Sequence, residues 1–209
     1  MELRDAVLRR RMVRRFDPAV PVAREVVRDL VALAVRAPSA GFSQGWDFVA
    51  LTEAAERAAF WCATDDGQPP DAWRRGVSSA PALVVCLSNP AAYLDRYAQP
   101  DKARAHLSSD QWPVPYWDTD TAMAAMVLLL AAEDAGLGAL FFGVPGERHA
   151  AVRKAFDIPD DRRLVGVVAL GREASHVSGS ARSRPRRSVD DVLHEGRFGA
   201  SREVPPGRG

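Results

Sequence analysis

Cysteine is scarce in this chain. Cys62 and Cys86 are its two cysteines, too few for a disulfide scaffold or a four-ligand zinc site. Both stand among apolar neighbours, which predicts two reduced core thiols in a cytoplasmic protein. An excess of one charge is also lacking. Lys+Arg number 28 and Asp+Glu 27, leaving a net +1 and no global field for nucleic acid or an anionic membrane surface. No apolar run is long. The longest, Ala122 to Ala132, is well short of the roughly 20 residues that cross a bilayer, so it predicts a buried helix. The first residues show no apolar stretch followed by a cleavage site, so no signal peptide is expected. The four histidines, His106, His149, His176 and His194, stand in no pattern that points to a metal or a triad.

What is present fits a soluble domain. The 209 residues are enough for one sizeable core and short for two. No internal repeat is visible. Apolar spacing predicts helices over 2–11 and 23–36, with shorter ones over 53–61 and 72–78. Strands are expected in "WDFVALT", "PALVVCLS", "ALFFGV" and "RLVGVVALG", the second as a central buried strand. "ERHAAVRKAF" predicts another helix. Asn89 to Tyr116 reads as an irregular segment rich in Tyr, Trp and Pro, of the kind that forms lids. "DTDTAMAAMVLLLAAEDAGLG" is the clearest helix, with Asp118 or Thr119 as cap and Gly136 and Gly138 at its end. Its apolar residues run nearly all round, so burial on every side, at a subunit interface, is expected. The interleaving predicts an α+β or α/β fold in a single domain.

Two short motifs invite overreading. Gly41-Phe42-Ser43-Gln44-Gly45 matches G-x-S-x-G, but a nucleophile elbow needs a strand before the serine and a helix after it. Here the order is reversed. "GLGALFFG" follows a helix and has the wrong spacing for a Rossmann phosphate loop. Asp118-Thr119-Asp120 reads as acids at the positive end of a helix, not as a metal site.

Arginines cluster near both ends: "RRRMVRR" over Arg9 to Arg15, and Arg182, Arg184, Arg186 and Arg187 in the polar tail. Arg10, Arg11 and Arg14 at i, i+1 and i+4 would converge on one anion at a helix end, and phosphate suits arginine pairing. With the first cluster inside "RRMVRRF", with "APSAGFSQGW", "PYWDTDTAMAAMVLLLAAEDAGLGALFFGVPG" and "RSRPRRSVDDVL" following in that order, the sequence resembles the FMN-dependent nitroreductase family over most of its length.

The resemblance implies an α+β fold with a central, mostly antiparallel sheet flanked by helices, working as an intertwined homodimer. It implies one domain over 1–209, whose C-terminal arm, about 172–209, reaches the partner subunit. It implies FMN as cofactor and NADH or NADPH as donor, with ping-pong hydride transfer through flavin N5 to an electron-poor small molecule such as a nitroaromatic or quinone. No catalytic side chain is expected beyond the flavin. By resemblance, Arg10 and Arg11 match phosphate and ribityl positions, and Arg14 a basic position near the pyrimidine edge. Pro38, Ser39 and Ala40 match the loop packed on the ring from the partner, with Gln44 beside it. Phe141, Phe142 and Gly143 match the strand end over the ring, and Arg182 and Arg184 a C-terminal phosphate clamp.

Three spellings depart from the family pattern. Met12 replaces a cofactor-binding serine, Phe42 an asparagine and Gly45 a proline. An acid seen in some members at the Phe142 position is absent. Phe42, Trp112, Tyr116 and Trp117 are expected to line the substrate pocket, and Trp61 and Trp73 to be structural. A flavin-consuming, oxidase or flavin-sequestering relative is the alternative; a basic interaction module is a third reading.

Overall fold

The computed structural model describes residues 1–102, 108–174 and 185–199. The chain divides into two compact units, Met1–His176 and Val177–Gly209. In the first, α1 (Leu3–Arg9) and α2 (Arg24–Ala34) precede β1 (Trp46–Leu51). Then come α3 (Ala54–Ala63), α4 (Ala72–Val77), β2 (Ala82–Ser88), α5 (Pro90–Tyr97), α6 (Tyr116–Asp134), β3 (Gly138–Phe142), α7 (His149–Ala155) and β4 (Arg163–Gly171). The strands form one sheet in the order β1-β2-β4-β3, every neighbouring pair antiparallel. The expected α+β class with a central antiparallel sheet and flanking helices is what is observed.

The period-2 geometry of strands explains the two cores. On β2, Ala82, Val84 and Cys86 face one way, with Val168 and Leu170 of β4, and pack against Val27 and Leu30 of α2 and Leu128 and Leu129 of α6. Leu83, Val85 and Leu87 face the other way, with Val167 and Ala169, and meet Phe60 of α3, Val77 of α4 and Val152 of α7. β2 is therefore buried on both faces, which is why its sequence is continuously apolar.

Several local expectations need correction. Asn89–Tyr116 is not irregular throughout. Pro90 opens α5 at the first helical position, where its missing N–H costs nothing, and the Asn89 side chain caps it by accepting from the Ala92 N–H. Helix α6 starts earlier than Asp118: Pro115 is its N-cap residue and Tyr116 its first residue. The Asp118 carboxylate is engaged elsewhere, by Arg163 at 3.0 Å and the buried Ser88 hydroxyl at 2.5 Å. At the other end, Gly136 takes φ 73°, and the Leu137 N–H reaches the Ala132 carbonyl at 2.8 Å. That is a Schellman stop; Gly138 already belongs to β3. Within a single chain, Met123 and Met126 of α6 are 41% and 39% exposed. Cys86 is buried, and burial pushes its thiol up to about 12, but Cys62 is exposed on α3. Among the described residues, no helix is long and apolar enough to cross a membrane.

The second unit is described over residues 185–199. Ser188 and Asp191 cap one another there, the Ser188 N–H donating to Asp191 Oδ2 at 2.9 Å. Arg187 donates to the Asp191 carbonyl.

Candidate functional site

The run from Arg10 to Phe16 leaves α1 and is extended. Met12 bridges Ala139 in parallel, and the Val13 N–H donates to the Ala139 carbonyl at 2.9 Å, so this run covers the outer edge of β3. The arginines are thus not gathered on a helix end. Arg11 is exposed and pairs with Glu173. Arg14 donates to the Met12 carbonyl at 3.3 Å. Arg10 is different: the residue is half-buried, and its Nε and Nη1 are buried with no hydrogen-bond partner among the described residues. Buried donors without an acceptor are costly, and an anion is the group that would satisfy them.

Met12, at the position where the resemblance expects a serine, does something a hydroxyl would not. Its sulfur accepts from the Phe141 N–H at 3.5 Å while its side chain packs against both cores. The Phe141 amide, expected to face the flavin, is therefore already engaged.

Because Met12 lies parallel to Ala139, the run advances toward the end of β3 as it reaches Arg14. There α4 packs directly on its backbone. A Cβ on Gly76 would lie 2.2 Å from the Arg14 carbonyl oxygen, so only glycine admits this approach. Helix α4 in turn walls a cleft of about 360 Å³, lined by Trp61, Trp73, Arg74, Phe142, Gly143, Val144 and Arg148 among others. The Phe142 ring stacks on Trp61 at 5.9 Å and 9°, and Trp73 meets Phe142 edge-on at 5.5 Å. The Arg74 guanidinium lies 5.7 Å from the Trp61 ring centre and donates to the Trp61 carbonyl at 2.6 Å. Trp61 Nε1 is buried with no hydrogen-bond partner among the described residues. Aromatic walls suit a flat, electron-poor ring, and the rim carries both signs, Arg74 and Arg148 with Asp66, Asp71 and Glu147. Trp61 and Trp73, expected to be structural, thus line the cleft together with Phe142 and Gly143. Two tryptophans flanking a Gly/Pro-rich loop were the available signal.

The other predicted group lies elsewhere. Pro38, Ser39, Ala40, Phe42 and Gln44 lead into β1, at the opposite edge of the sheet from β3. Three strand spacings separate the edges, roughly 14 Å. The loop is tightly wound: Gly41, Phe42 and Gln44 take φ of 62°, 57° and 50°. Ser39 Oγ accepts from the Gln44 N–H at 3.0 Å, and the Ser43 hydroxyl donates to the Ala40 carbonyl at 2.6 Å. Ser43 is a turn residue, with helix before and strand after, as its place in the sequence required. Phe42 is 76% exposed.

Trp112, Tyr116 and Trp117 do not line the cleft. Trp112 packs edge-on against Tyr97 at 4.8 Å, Tyr116 at 5.8 Å and Trp117 at 5.9 Å, making an aromatic cluster beside Tyr93. Arg182 and Arg184, like His106 and His176, lie outside the described residues. His149 opens α7, its Nε2 2.9 Å from the Val144 carbonyl.

Residues 7–172 match the Nitroreductase family. The chain belongs to the nitroreductase family. That family consists of FMN-dependent oxidoreductases. The chain is similar to an NADPH-dependent oxidoreductase of Staphylococcus aureus (strain MRSA252), 27% identical over 193 residues, which are 92% of this chain and 72% of that protein. Its fold is similar to that of a putative NADH dehydrogenase/NAD(P)H nitroreductase from Parabacteroides distasonis ATCC 8503. There the TM-score is 0.68 at 23% identity, covering 94% of this chain and 99% of that one. It is also similar to a putative nitroreductase in complex with FMN from Exiguobacterium sibiricum 255-15, with TM-score 0.70, 18% identity and coverage of 92% and 96%.

Proposed function

We propose that this nitroreductase-family chain uses FMN to move hydride equivalents from NADH or NADPH to a small electron-poor acceptor, in ping-pong fashion. The observation that carries this reading is Arg10, whose buried Nε and Nη1 lack any acceptor among the described residues. The residues present fit the cofactor. Arg10 would hold the phosphate, Arg14 would place a cation toward the pyrimidine edge, and Phe142 and Gly143 would border the ring. When bound, FMN supplies the hydride-accepting and hydride-donating centre, so the chain's own work is binding, orientation and electrostatics. A cation at Arg14 favours the reduced flavin by offsetting its negative charge. The aromatic cleft excludes water and presents flat walls to a ring.

The separation of the two predicted groups on opposite sheet edges supports a homodimer. One chain does not bring Pro38–Ala40 to its own Arg10, but a second copy supplies the loop. Leu3 and Leu8 on α1 and Met123 and Met126 on α6 are exposed apolar side chains suited to that contact. By resemblance, Arg182 and Arg184 are further phosphate-binding residues, and one domain over 1–209 is the organisation that goes with them. A flavin-sequestering relative is the second reading. It is favoured by Met12, which engages the Phe141 amide and so removes one donor from the ring. FMN titration of wild type and Arg10→Ala, followed by anaerobic addition of NADH or NADPH, tests both. Tight binding lost in the variant, with bleaching by a donor, is the expected result. Binding without bleaching favours sequestration.

A further inference from the structure

The loop before β1 is anchored by a buried carboxylate that flavin chemistry does not itself require. Asp120 of α6 is 1% exposed and is the only charged side chain buried among the described residues. Its Oδ2 accepts from the Ala40 N–H at 2.8 Å and from the Tyr93 hydroxyl at 2.8 Å, and its Oδ1 from the Thr119 hydroxyl at 3.3 Å. A carboxylate is tolerated at such depth only when donors converge on it, and those donors fix its direction as well as its place.

The backbone that it grips is under strain. Phe42 and Gln44 hold left-handed φ of 57° and 50°, a conformation that non-glycine residues keep only where their surroundings impose it. The Ser39 and Ser43 hydrogen bonds lie within the loop and move with it. Outside side chains hold it at three points: Arg96, whose Nε donates to the Gly41 carbonyl at 2.9 Å, the buried Tyr93, packed against Gly45, and Asp120. Of these, Asp120 grips the Ala40 amide, and it stands on the helix that also packs under the sheet.

We propose that Asp120 is a positioning residue: through the Ala40 amide it sets the orientation of Pro38–Ala40 against the flavin ring. This rests on the FMN reading above. Asp120 is buried and acts through the Ala40 amide, and Tyr93 holds it in place from the side of α5.

The test compares full-length wild type with Asp120→Ala and Asp120→Asn. The asparagine keeps one oxygen where both donors point but loses the charge, so it should fall between the other two. Hydrogen exchange of the FMN-free proteins reads the anchor alone. Ala40 amide exchange should rise about tenfold or more in Asp120→Ala, less in Asp120→Asn, with β2 amides unchanged. FMN affinity should weaken by about tenfold in Asp120→Ala, with an altered visible circular dichroism of the bound flavin and partial recovery in Asp120→Asn. Unchanged Ala40 exchange would overturn the anchor. A loosened loop with unchanged FMN affinity and dichroism would overturn the link to the ring. Failure of the FMN reading is distinguished by the wild type, which would then bind no FMN while Ala40 exchange still reports on the anchor.

Discussion

The ring of Tyr93 fills the space beside the α-carbon of Gly45. A Cβ on Gly45 would lie 2.4 Å from Cε2 of the tyrosine and 2.9 Å from the Asn89 carbonyl oxygen. The Asn89 N–H, in turn, donates to the Gly45 carbonyl at 2.9 Å. The glycine that departs from the family's proline is therefore a packing consequence of Tyr93. Gly45→Ala should cost about 1–3 kcal/mol of stability, the usual range for overpacking. Thermal melting should fall by roughly 2–10 °C. Combining it with Tyr93→Leu should recover part of that loss. An unchanged melting temperature for Gly45→Ala would show that the ring yields.

Arg10 predicts opposite signs with and without cofactor. Two of its guanidinium nitrogens are buried and have no partner among the described residues, which costs stability in the FMN-free protein. Arg10→Met should leave the FMN-free melting temperature equal or higher, since an apolar side chain replaces those unsatisfied donors. The same change should weaken FMN binding by roughly tenfold to a hundredfold, the worth of a charged hydrogen bond of about 1.5–3 kcal/mol. Paired melting curves with and without FMN check both halves.

Tyr93 makes the fold sensitive to alkali. Burial, then the hydrogen bond to Asp120, raises its phenol well above the ordinary value near 10. A group whose pKa is raised on folding contributes stability that is present in full below its unfolded value and is lost as pH rises toward its folded one. Stability should therefore decline above about pH 10, and less so in Tyr93→Phe. The wild-type minus Tyr93→Phe phenolate absorbance should appear only as the protein unfolds. A phenolate appearing near its ordinary value in folded protein would contradict this.

Met12 ties the arginine run to β3. Met12→Ser restores the family's hydroxyl but removes a side chain packed against both cores. It should cost about 2 kcal/mol or more in denaturant unfolding. A cost near zero would mean that the sulfur contact with Phe141 is not holding the edge.

Elements with clear periodicity were legible in the sequence. The continuous apolar runs of β2 and β4 and the long apolar stretch of α6 are local patterns. The reversed order around Ser43 likewise excluded an elbow without coordinates. Most of what was not legible depended on partners far away in sequence, α5 being the exception. Helix α5 was hidden because Pro90 looks like a break until Asn89 caps it. Arg10 and Arg11 look like the end of the first helix, yet the run leaves it, and its hydrogen-bond partner is Ala139, more than a hundred residues away. Trp61 and Trp73 looked structural because nothing local announces that Phe142 will stack between them. Asp120 looked like an acid at a helix start, whereas its partners are Ala40 and Tyr93.

The most direct measurement of the central claim is the visible spectrum of the purified protein after reconstitution with excess FMN and desalting, then after anaerobic addition of NADPH or NADH. Retained flavin absorbance that bleaches with one of the donors is the predicted result. A colourless protein after desalting would contradict it.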